Sequence, residues 1–189
     1  MKKIVLASGN AHKLKEFREL LPEYEIVSCK ELGFNGDIVE DGKTFYENAL
    51  IKAKAVATEL NLPALADDSG ICVDALGGAP GIYSARYAGD GIDKHNVELL
   101  LKNMQGKTDR TAKFVCVLVY YLPSGEIISA TGECKGKITD APCGENGFGY
   151  DPIFYSDELN KPLGIATAEE KNSVSHRFKA IKALKEKLL

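Results

Sequence analysis

The sequence of 189 residues has no long apolar run, and the longest such run covers residues 114–122. This run is far below the roughly 20 residues that a membrane-spanning helix requires. Lys2 and Lys3 precede only the short apolar segment at residues 4–7, which is too short for the core of a signal peptide. We therefore expect a cytoplasmic protein without a membrane partner.

Closely spaced cysteines and an excess of basic charge are also lacking. Lysine and arginine total 24 against 27 acidic residues, which gives a net charge of -3. Binding of duplex nucleic acid depends on a broad basic face, so we expect no nucleic-acid partner, while a small basic pocket is compatible with this balance. The five cysteines are odd in number and lack the Cys/His spacing of a zinc site, so the sequence supports neither a disulfide framework nor a zinc centre.

The residues that are present indicate one globular domain over residues 1–189. The composition is 44% hydrophobic and 27% charged, which is ordinary for a soluble protein, and no repeat or low-complexity linker divides the chain. Apolar runs and helical periodicity predict these elements: strands over 3–7, 24–28, 62–66, 71–74, 113–122 and 127–135, and helices over 13–21, 44–60 and 93–104, with a last helix that opens at 173–177. The turn at residues 123–126 forms a hairpin, so the expected α/β sheet is mixed.

Two carboxylates follow the predicted strand at 62–66, in the segment Ala-Asp-Asp-Ser-Gly at residues 66–70. Ligands of open α/β sheets bind beyond the carboxyl ends of strands, so a carboxylate here is a candidate metal ligand or general base. Neighbouring side chains of an extended chain point to opposite faces, so Asp67 and Asp68 are expected to differ in role. The alternative is a solvated turn, because these residue types dominate turns.

A candidate phosphate site lies between the first strand and the first helix. Ser8, Gly9 and Asn10 form the turn, and Lys13 lies in the first turn of the helix. Backbone N–H groups and the positive end of a helix dipole attract anions there. The segment is not a Walker A loop, and an ordinary strand–helix turn is the alternative.

A second acidic ligand is expected in the polar loop at residues 31–43. Thr44 and Glu47 have the spacing of a capping box, which gives Glu47 a structural role. Glu40 has no such role and is therefore the better candidate, although Asp41 lies beside it.

Aromatic and basic residues mark two further segments. Glycines flank Phe148 and Tyr150 in the loop at residues 144–152, which suits stacking on a nucleobase; a buried aromatic turn is the alternative. His176 and Arg177 lie in the first turn of the last helix, where cations oppose the helix dipole unless an anionic or acceptor-rich ligand is near. Together with oxygen ligands suited to Mg²⁺, these features predict a Mg²⁺-dependent nucleotide enzyme.

Six motifs occur in order and together resemble the inosine triphosphate pyrophosphatase family, the house-cleaning dITP/XTP pyrophosphatases. They are residues 8–13 (Ser-Gly-Asn-x-x-Lys), 44–49 (Thr-Phe-x-Glu-Asn-Ala), 66–70, 78–87 (Gly-Ala-Pro-Gly-Ile-Tyr-Ser-Ala-Arg-Tyr), 147–152 (Gly-Phe-Gly-Tyr-Asp-Pro) and 175–177 (Ser-His-Arg). The resemblance covers residues 4–180. It implies an elongated mixed β-sheet flanked by helices, two lobes with a nucleotide cleft between them, a homodimer, and hydrolysis of deaminated purine triphosphates (ITP, dITP, XTP) to monophosphate and pyrophosphate with Mg²⁺.

The resemblance also implies roles for individual residues. Asp68 would be the general base and a metal ligand, with Glu40 as the other metal ligand. The substrate-binding residues would be Ser8, Gly9, Asn10 and Lys13 at the phosphates, Ser69 at the nucleotide, and Phe148, Gly149, Tyr150, Asp151, Lys171, His176 and Arg177 around the base and sugar. Independently of the resemblance, we expect Asp67 to support the loop or to make a contact behind the site, because it points away from Asp68 in an extended chain. The alternatives are a septum-protein-like pyrophosphatase acting on pyrimidine or modified nucleotides, and a nucleotide-binding module without turnover.

Overall fold

A computed structural model describes residues 2–188 of the chain. The helices and strands within this range are β1 (Lys2–Leu6), α1 (Ala11–Leu20), β2 (Tyr24–Ser28), α2 (Phe45–Leu60), β3 (Ala64–Val73), α3 (Asp93–Asn103), β4 (Thr111–Tyr121), β5 (Ile127–Ile138), β6 (Phe154–Ser156), β7 (Lys161–Pro162), α4 (Ala168–Val174) and α5 (His176–Leu188). Short 3-10 turns connect several of them. None of the helices in the described range is long and apolar enough to cross a membrane.

The strands form one mixed sheet in the order β2-β1-β3-β4-β5-β6-β7. β1 pairs in parallel with β2 and with β3, whereas β6 pairs antiparallel with β5 and with β7. The turn that joins β4 to β5 is closed by a bond from the amide of Gly125 to the carbonyl of Leu122 at 2.8 Å. The expected α/β fold with a mixed sheet flanked by helices is confirmed.

The chain divides into two compact units. Unit 1 contains the residues up to Asp68, Cys116–Thr131 and the chain from Ala180 onward, and unit 2 contains Ser69–Val115 and Gly132–Lys179. Strands β3, β4 and β5 each contribute residues to both units, because the divisions of the chain fall inside them.

Alternation along β1 builds two hydrophobic cores in unit 1. Ile4 and Leu6 pack in one buried cluster with Phe17, while Val5 and Ala7 pack in a second cluster with the small residues of α2. Successive strand side chains point to opposite faces, so a strand that is apolar throughout is covered on both sides. Unit 2 has a separate core around Phe154, Leu100 and Ile153.

Strand β3 differs from the sequence prediction, which ended one strand at residue 66 and began another at residue 71. The strand instead runs without a break from Ala64 to Val73. Asp67 and Asp68 are buried inside it because lysines pair with both carboxylates, and this pairing offsets the cost of burying charge. The turn-like composition of residues 67–70 was therefore misleading.

The ends of the helices show two further differences. The amide of Glu47 donates to Thr44 Oγ1 at 3.1 Å as predicted, but the Glu47 carboxylate accepts from the amide of Lys43 at 2.6 Å, so the predicted reciprocal bond to Thr44 is wrong. Helix α4 was not predicted, although Thr167 and Glu170 form a complete capping box at its start. Their Thr-x-x-Glu spacing is a signal that could have revealed it.

Candidate active site

The turn between β1 and α1 is fixed by its own polar side chains. Asn10 is the N-cap of α1, and its Oδ1 accepts from the amides of His12 at 2.9 Å and Lys13 at 3.2 Å. Ser8 Oγ accepts from the amide of Asn10 at 3.1 Å. Gly9 lies close to Lys30. A Cβ added to Gly9 would be 3.0 Å from Lys30 Nζ. The structure thus places a positively polarised helix start and an additional, unpredicted lysine at the candidate phosphate loop.

Asp67 and Asp68 have different partners, as the alternation of a strand requires. Asp67 is fully buried and forms an ion pair through Oδ1 with Lys13, and its Oδ2 accepts from Cys116 Sγ at 3.0 Å. Asp68 instead faces Lys52, whose Nζ lies 3.3 Å from Asp68 Oδ1. The two aspartate side chains therefore form ion pairs with different lysines of unit 1.

Lys52 joins the two carboxylates that the sequence assigned to a metal. Its Nζ lies 3.0 Å from Glu40 Oε2 as well as 3.3 Å from Asp68 Oδ1. Burial raises the pKa of Asp68, and the charges of Glu40 and Asp67 act in the same direction, while Lys52 and Lys13 oppose them. Burial would by itself lower the pKa of Lys52, but Asp68, Glu40 and Asp67 outweigh it and the pKa is raised. The arrangement holds Lys52 as a cation beside a carboxylate that has increased proton affinity.

The surroundings of Asp68 fit a hard divalent cation. Asp68 Oδ2 is buried and has no hydrogen-bond partner among the residues that the structure describes, so one oxygen is left for a ligand. Within residues 2–188 no group of three or more His, Cys, Asp or Glu side chains is arranged to hold a metal. Two carboxylates suit Mg²⁺, since it commonly binds one or two protein carboxylates and completes its shell with water and substrate phosphates.

The choice between Glu40 and Asp41 follows from the loop that carries them. Asn48 in α2 is buried and its Oδ1 accepts from the amide of Gly42 at 2.9 Å, which anchors the loop. Glu40 reaches Lys52, whereas Asp41 lines a shallow surface depression beside Lys43 and other residues. Of the two, Glu40 has the position that a metal ligand next to Asp68 needs.

In unit 2, Ser69 and the start of α5 are connected. The Arg177 guanidinium donates from Nη2 to Ser69 Oγ at 3.1 Å, although Arg177 is far along the chain. Ser175 Oγ accepts from the amide of Phe178 at 3.1 Å, which is the bond of a helix N-cap. Arg177 and its neighbour His176 are both buried, so their positions in the first turn of α5 direct them into unit 2.

His176 lies flat against Phe114 of β4. The ring centroids are 4.9 Å apart and the rings are nearly parallel, with an angle of 14°. Phe114 is itself packed against Phe154 at 4.5 Å. Phe114 was not singled out from the sequence, where it is one of many apolar residues of a core strand. Its position fixes the plane of the His176 ring.

The glycine-rich loop before β6 is organised by Asp151. Asp151 Oδ2 accepts from Lys171 Nζ at 2.7 Å and from the amide of Phe148 at 2.9 Å. Lys171 Nζ also lies 4.5 Å from the centroid of the Phe148 ring, a cation–π contact. Gly147 has φ +75°, which favours glycine. A Cβ at this position would also lie 2.0 Å from Asp151 Oδ2, so any larger residue would collide with the carboxylate.

The two aromatic residues of this loop are placed differently. Tyr150 is buried in the core of unit 2, where its hydroxyl donates to the carbonyl of Ser84 at 2.6 Å and burial raises its pKa. Phe148 is only partly buried. The loop is held further by Asp93 of α3, whose Oδ2 accepts from the amide of Gly149 at 2.9 Å. The buried-turn interpretation thus describes Tyr150, and the stacking role of Phe148 stays a prediction.

The sequence-predicted residues therefore fall into two groups. Unit 1 contains Ser8, Gly9, Asn10, Lys13, Glu40 and Asp68, and unit 2 contains Ser69, Phe148, Gly149, Tyr150, Asp151, Lys171, His176 and Arg177. Asp68 and Ser69 are consecutive in β3. Sequence reasoning missed Lys52, Lys30, Asp93 and Phe114. For Lys52 a signal existed, because Asn48 and Lys52 are polar at helical spacing beside the apolar face of α2.

Comparison with known proteins agrees with the motifs. The model of the Ham1 family matches residues 4–187. A dITP/XTP pyrophosphatase of Treponema denticola is 47% identical, with 95% of this chain and 94% of the relative covered; one of Desulfotalea psychrophila is 49% identical, with 96% and 83% covered. The Ham1 protein structure of Staphylococcus aureus has a TM-score of 0.90 at 46% identity, covering 99% of this chain and 98% of the other. That of Coxiella burnetii also has a TM-score of 0.90, at 40% identity, with 100% and 98% covered. The resemblance inferred from the motifs is confirmed, and the chain belongs to the Ham1 family.

Proposed function

We propose that this protein hydrolyses deaminated purine nucleoside triphosphates, namely ITP, dITP and XTP, to the nucleoside monophosphate and pyrophosphate with Mg²⁺ as cofactor. The curated relatives named dITP/XTP pyrophosphatase support this activity. The observation that carries the proposal is the group Glu40–Lys52–Asp68, in which a buried carboxylate oxygen of Asp68 is left for a ligand.

Asp68 acts as the general base. Its raised pKa makes it a stronger proton acceptor than an ordinary aspartate, which favours proton removal from water near neutral pH. The hydroxide formed attacks the phosphorus of the α-phosphate, the bond to the bridging oxygen breaks, and pyrophosphate leaves. When bound by Asp68 and Glu40, Mg²⁺ would supply charge neutralisation at the phosphates and orientation of the water.

The remaining residues of unit 1 hold the polyphosphate. Lys13 and Lys52 provide positive charge, and the start of α1 provides the positive end of a helix dipole. Holding the reacting groups in place and compensating their charge are the main sources of acceleration in phosphoryl chemistry. A module that only binds nucleotides would not need a carboxylate with a free oxygen among these cations, so the non-catalytic alternative is disfavoured.

Unit 2 recognises the base. Hypoxanthine and xanthine present an oxygen acceptor at the purine 6-position, whereas adenine presents an amino donor. The side chains at the start of α5 supply donors, and an adenine base would leave them unpaired. A buried donor without a partner costs about 1–3 kcal/mol, which supports strong discrimination. Phe148, held by Asp151 and Lys171, provides the stacking surface.

One assay separates the proposed function from its alternatives. The full-length protein is incubated with Mg²⁺ and each of ITP, XTP, dITP, GTP, ATP and CTP, and pyrophosphate and monophosphate are quantified. We expect equimolar products from ITP, XTP and dITP, and much lower rates with GTP, ATP and CTP. Preference for CTP would favour the septum-protein-like alternative, and absence of product from every triphosphate would favour the binding module.

The proposal includes a cytoplasmic homodimer, which the family resemblance implies. Sedimentation equilibrium of the purified protein at several concentrations tests the assembly. A mass of twice 20.5 kDa is expected, and a monomer at all concentrations would contradict this part of the proposal without affecting the activity.

A further inference from the structure

Asp67 is a buried charged residue that the proposed chemistry does not use. It lies on β3 beside Asp68, and its side chain is 0% exposed. A charge in such a position is costly unless it is paired and hydrogen-bonded. The Asp67 carboxylate inside this core strand therefore needs a cationic partner that is held at a fixed position.

That partner is Lys13 of the candidate phosphate loop. The Lys13 side chain is 15% exposed and its ammonium pairs with Asp67 Oδ1. Lysine has a long flexible side chain with three donors, so without a fixed acceptor its ammonium would sample many positions. With one donor on Asp67, the other donors of Lys13 remain able to contact a phosphate.

Asp67 is itself oriented by the neighbouring strand β4. Cys116 Sγ donates to Asp67 Oδ2 at 3.0 Å, and Cys116 is completely buried in the unit 1 core. The thiol and the ammonium contact opposite oxygens of one carboxylate, so the plane of the carboxylate is set from both sides. Cys116 is thus the inner end of a chain of contacts that runs from the core through Asp67 to Lys13.

We propose that Asp67, held by Cys116, is a positioning residue that preorganises Lys13 for binding the polyphosphate of the substrate. This inference rests on the proposed function, in which Lys13 is a phosphate ligand. Binding is strengthened when a group is already held in its bound conformation, because less conformational freedom is lost. Asp67 does not touch the substrate and acts through Lys13.

A double-mutant cycle distinguishes positioning from a general structural role. The affinity of full-length protein for inorganic tripolyphosphate is measured by calorimetry with Mg²⁺ for wild type, Lys13→Ala, Asp67→Asn and the double variant. We expect Lys13→Ala and Asp67→Asn each to weaken binding by about tenfold, the double variant being no weaker than Lys13→Ala, because residues in one network are not additive. Circular dichroism and thermal unfolding verify that each variant is folded at the temperature of measurement.

The cycle also separates a failure of this inference from a failure of the proposed function. If Lys13→Ala binds tripolyphosphate as tightly as wild type, the phosphate role of Lys13 is wrong. If Lys13→Ala weakens binding but Asp67→Asn leaves it unchanged or tightens it, as loss of a nearby negative charge would, the positioning role is overturned. Losses that multiply in the double variant would likewise overturn it.

Cys116 provides a second test that retains the buried charge pair. Cys116→Ser keeps a donor for Asp67, whereas Cys116→Ala removes it. We expect tripolyphosphate affinity close to that of wild type for Cys116→Ser and about threefold weaker for Cys116→Ala, since a hydrogen bond to a charged group stabilises its position. Equal affinities for the two folded variants would exclude Cys116 from the positioning network.

Discussion

The ammonium of Lys52 lies 3.3 Å from Oδ1 of Asp68. The same ammonium lies 3.0 Å from Glu40, so one lysine of α2 balances two carboxylates on different segments of unit 1. Without a bound cation, this lysine compensates the charge of the buried Asp68 carboxylate and of the half-buried Glu40, because uncompensated charges in a protein interior are strongly unfavourable. The ion pairs of Lys52 with Glu40 and Asp68 therefore affect both the stability of the fold and the pKa of Asp68.

Replacement of Lys52 by methionine is expected to destabilise the metal-free protein at neutral pH. The pKa of Lys52 is raised in the folded state, so its contribution to stability is complete below the ordinary lysine pKa of about 10.4 and is lost as the pH rises through the higher folded-state pKa. The difference in unfolding midpoint between wild type and Lys52→Met should be constant from pH 7 to 9 and shrink above about pH 10.4. Lys54→Met, at an exposed position of the same helix, is the matched control and should change the midpoint little; a difference independent of pH would contradict the role of the charge.

The pH dependence of turnover should reflect the raised pKa of Asp68. A general base must be ionised, so kcat/KM for dITP is expected to fall as the pH drops through this pKa. Because burial raises the pKa, the acidic limb should lie above the ordinary aspartate value of about 3.9. Removing Lys52, a positive charge that lowers this pKa, should move the limb to higher pH. An acidic limb at or below pH 3.9 in wild type would contradict a raised pKa of Asp68 in the enzyme during turnover.

Gly147→Ala should disturb the base-recognition loop both through the strain of an alanine at positive φ and through a clash with Asp151. The added Cβ would lie 2.0 Å from Asp151 Oδ2, so Asp151 would lose its geometry towards Phe148 and Lys171. We expect KM for dITP to rise by about tenfold to hundredfold, as small displacements in a binding site do. Gly106→Ala is the control, since Gly106 has a similar φ of +72° and no neighbour within 4 Å. Equal effects of both variants on KM would contradict the proposed clash.

His176→Ala is expected to reduce the preference for ITP over ATP. His176 is stacked on Phe114 and lies in the first turn of α5 beside Arg177, where donors for the purine 6-oxygen are proposed. The ratio of kcat/KM for the two substrates should fall by about tenfold, the value of one hydrogen bond in a buried site. His95→Ala, which removes an exposed histidine of the same unit, should leave the ratio unchanged. An unchanged ratio in His176→Ala would mean that the base is read by other residues.

The sequence predicted the regular elements better than the polar contacts. The strand at Tyr24–Ser28 and the helix that starts after Thr44 agree with the structure, since apolar periodicity and caps are local signals. By contrast, the link between Asp93 and the amide of Gly149 joins residues far apart in the chain, and no local pattern encodes such a contact. Residues 67–70 resemble a turn in the sequence because the lysines that pair with the two aspartates are distant in the chain, on α1 and α2.

In the candidate site, too, continuous motifs were predicted from the sequence and contacts between distant residues were not. The motifs around Ser8, Asp68 and Phe148 were recognised through the resemblance, because each is a continuous segment. Lys52 was not recognised, since a single lysine in an amphipathic helix is usually a solvated residue. Only the fold shows that it contacts both Glu40 and Asp68.

Single-turnover hydrolysis of dITP by Asp68→Asn tests the central claim most directly. The amide keeps the size of the side chain and cannot accept the proton from water, so we expect the rate of pyrophosphate formation to fall by at least about a thousandfold. Asp41→Asn, in the neighbouring acidic loop, should retain the wild-type rate. Circular dichroism and binding of dITP show whether the variant is folded and loaded with substrate. A folded Asp68→Asn protein that forms pyrophosphate within tenfold of the wild-type rate would contradict the assignment of Asp68 as the general base.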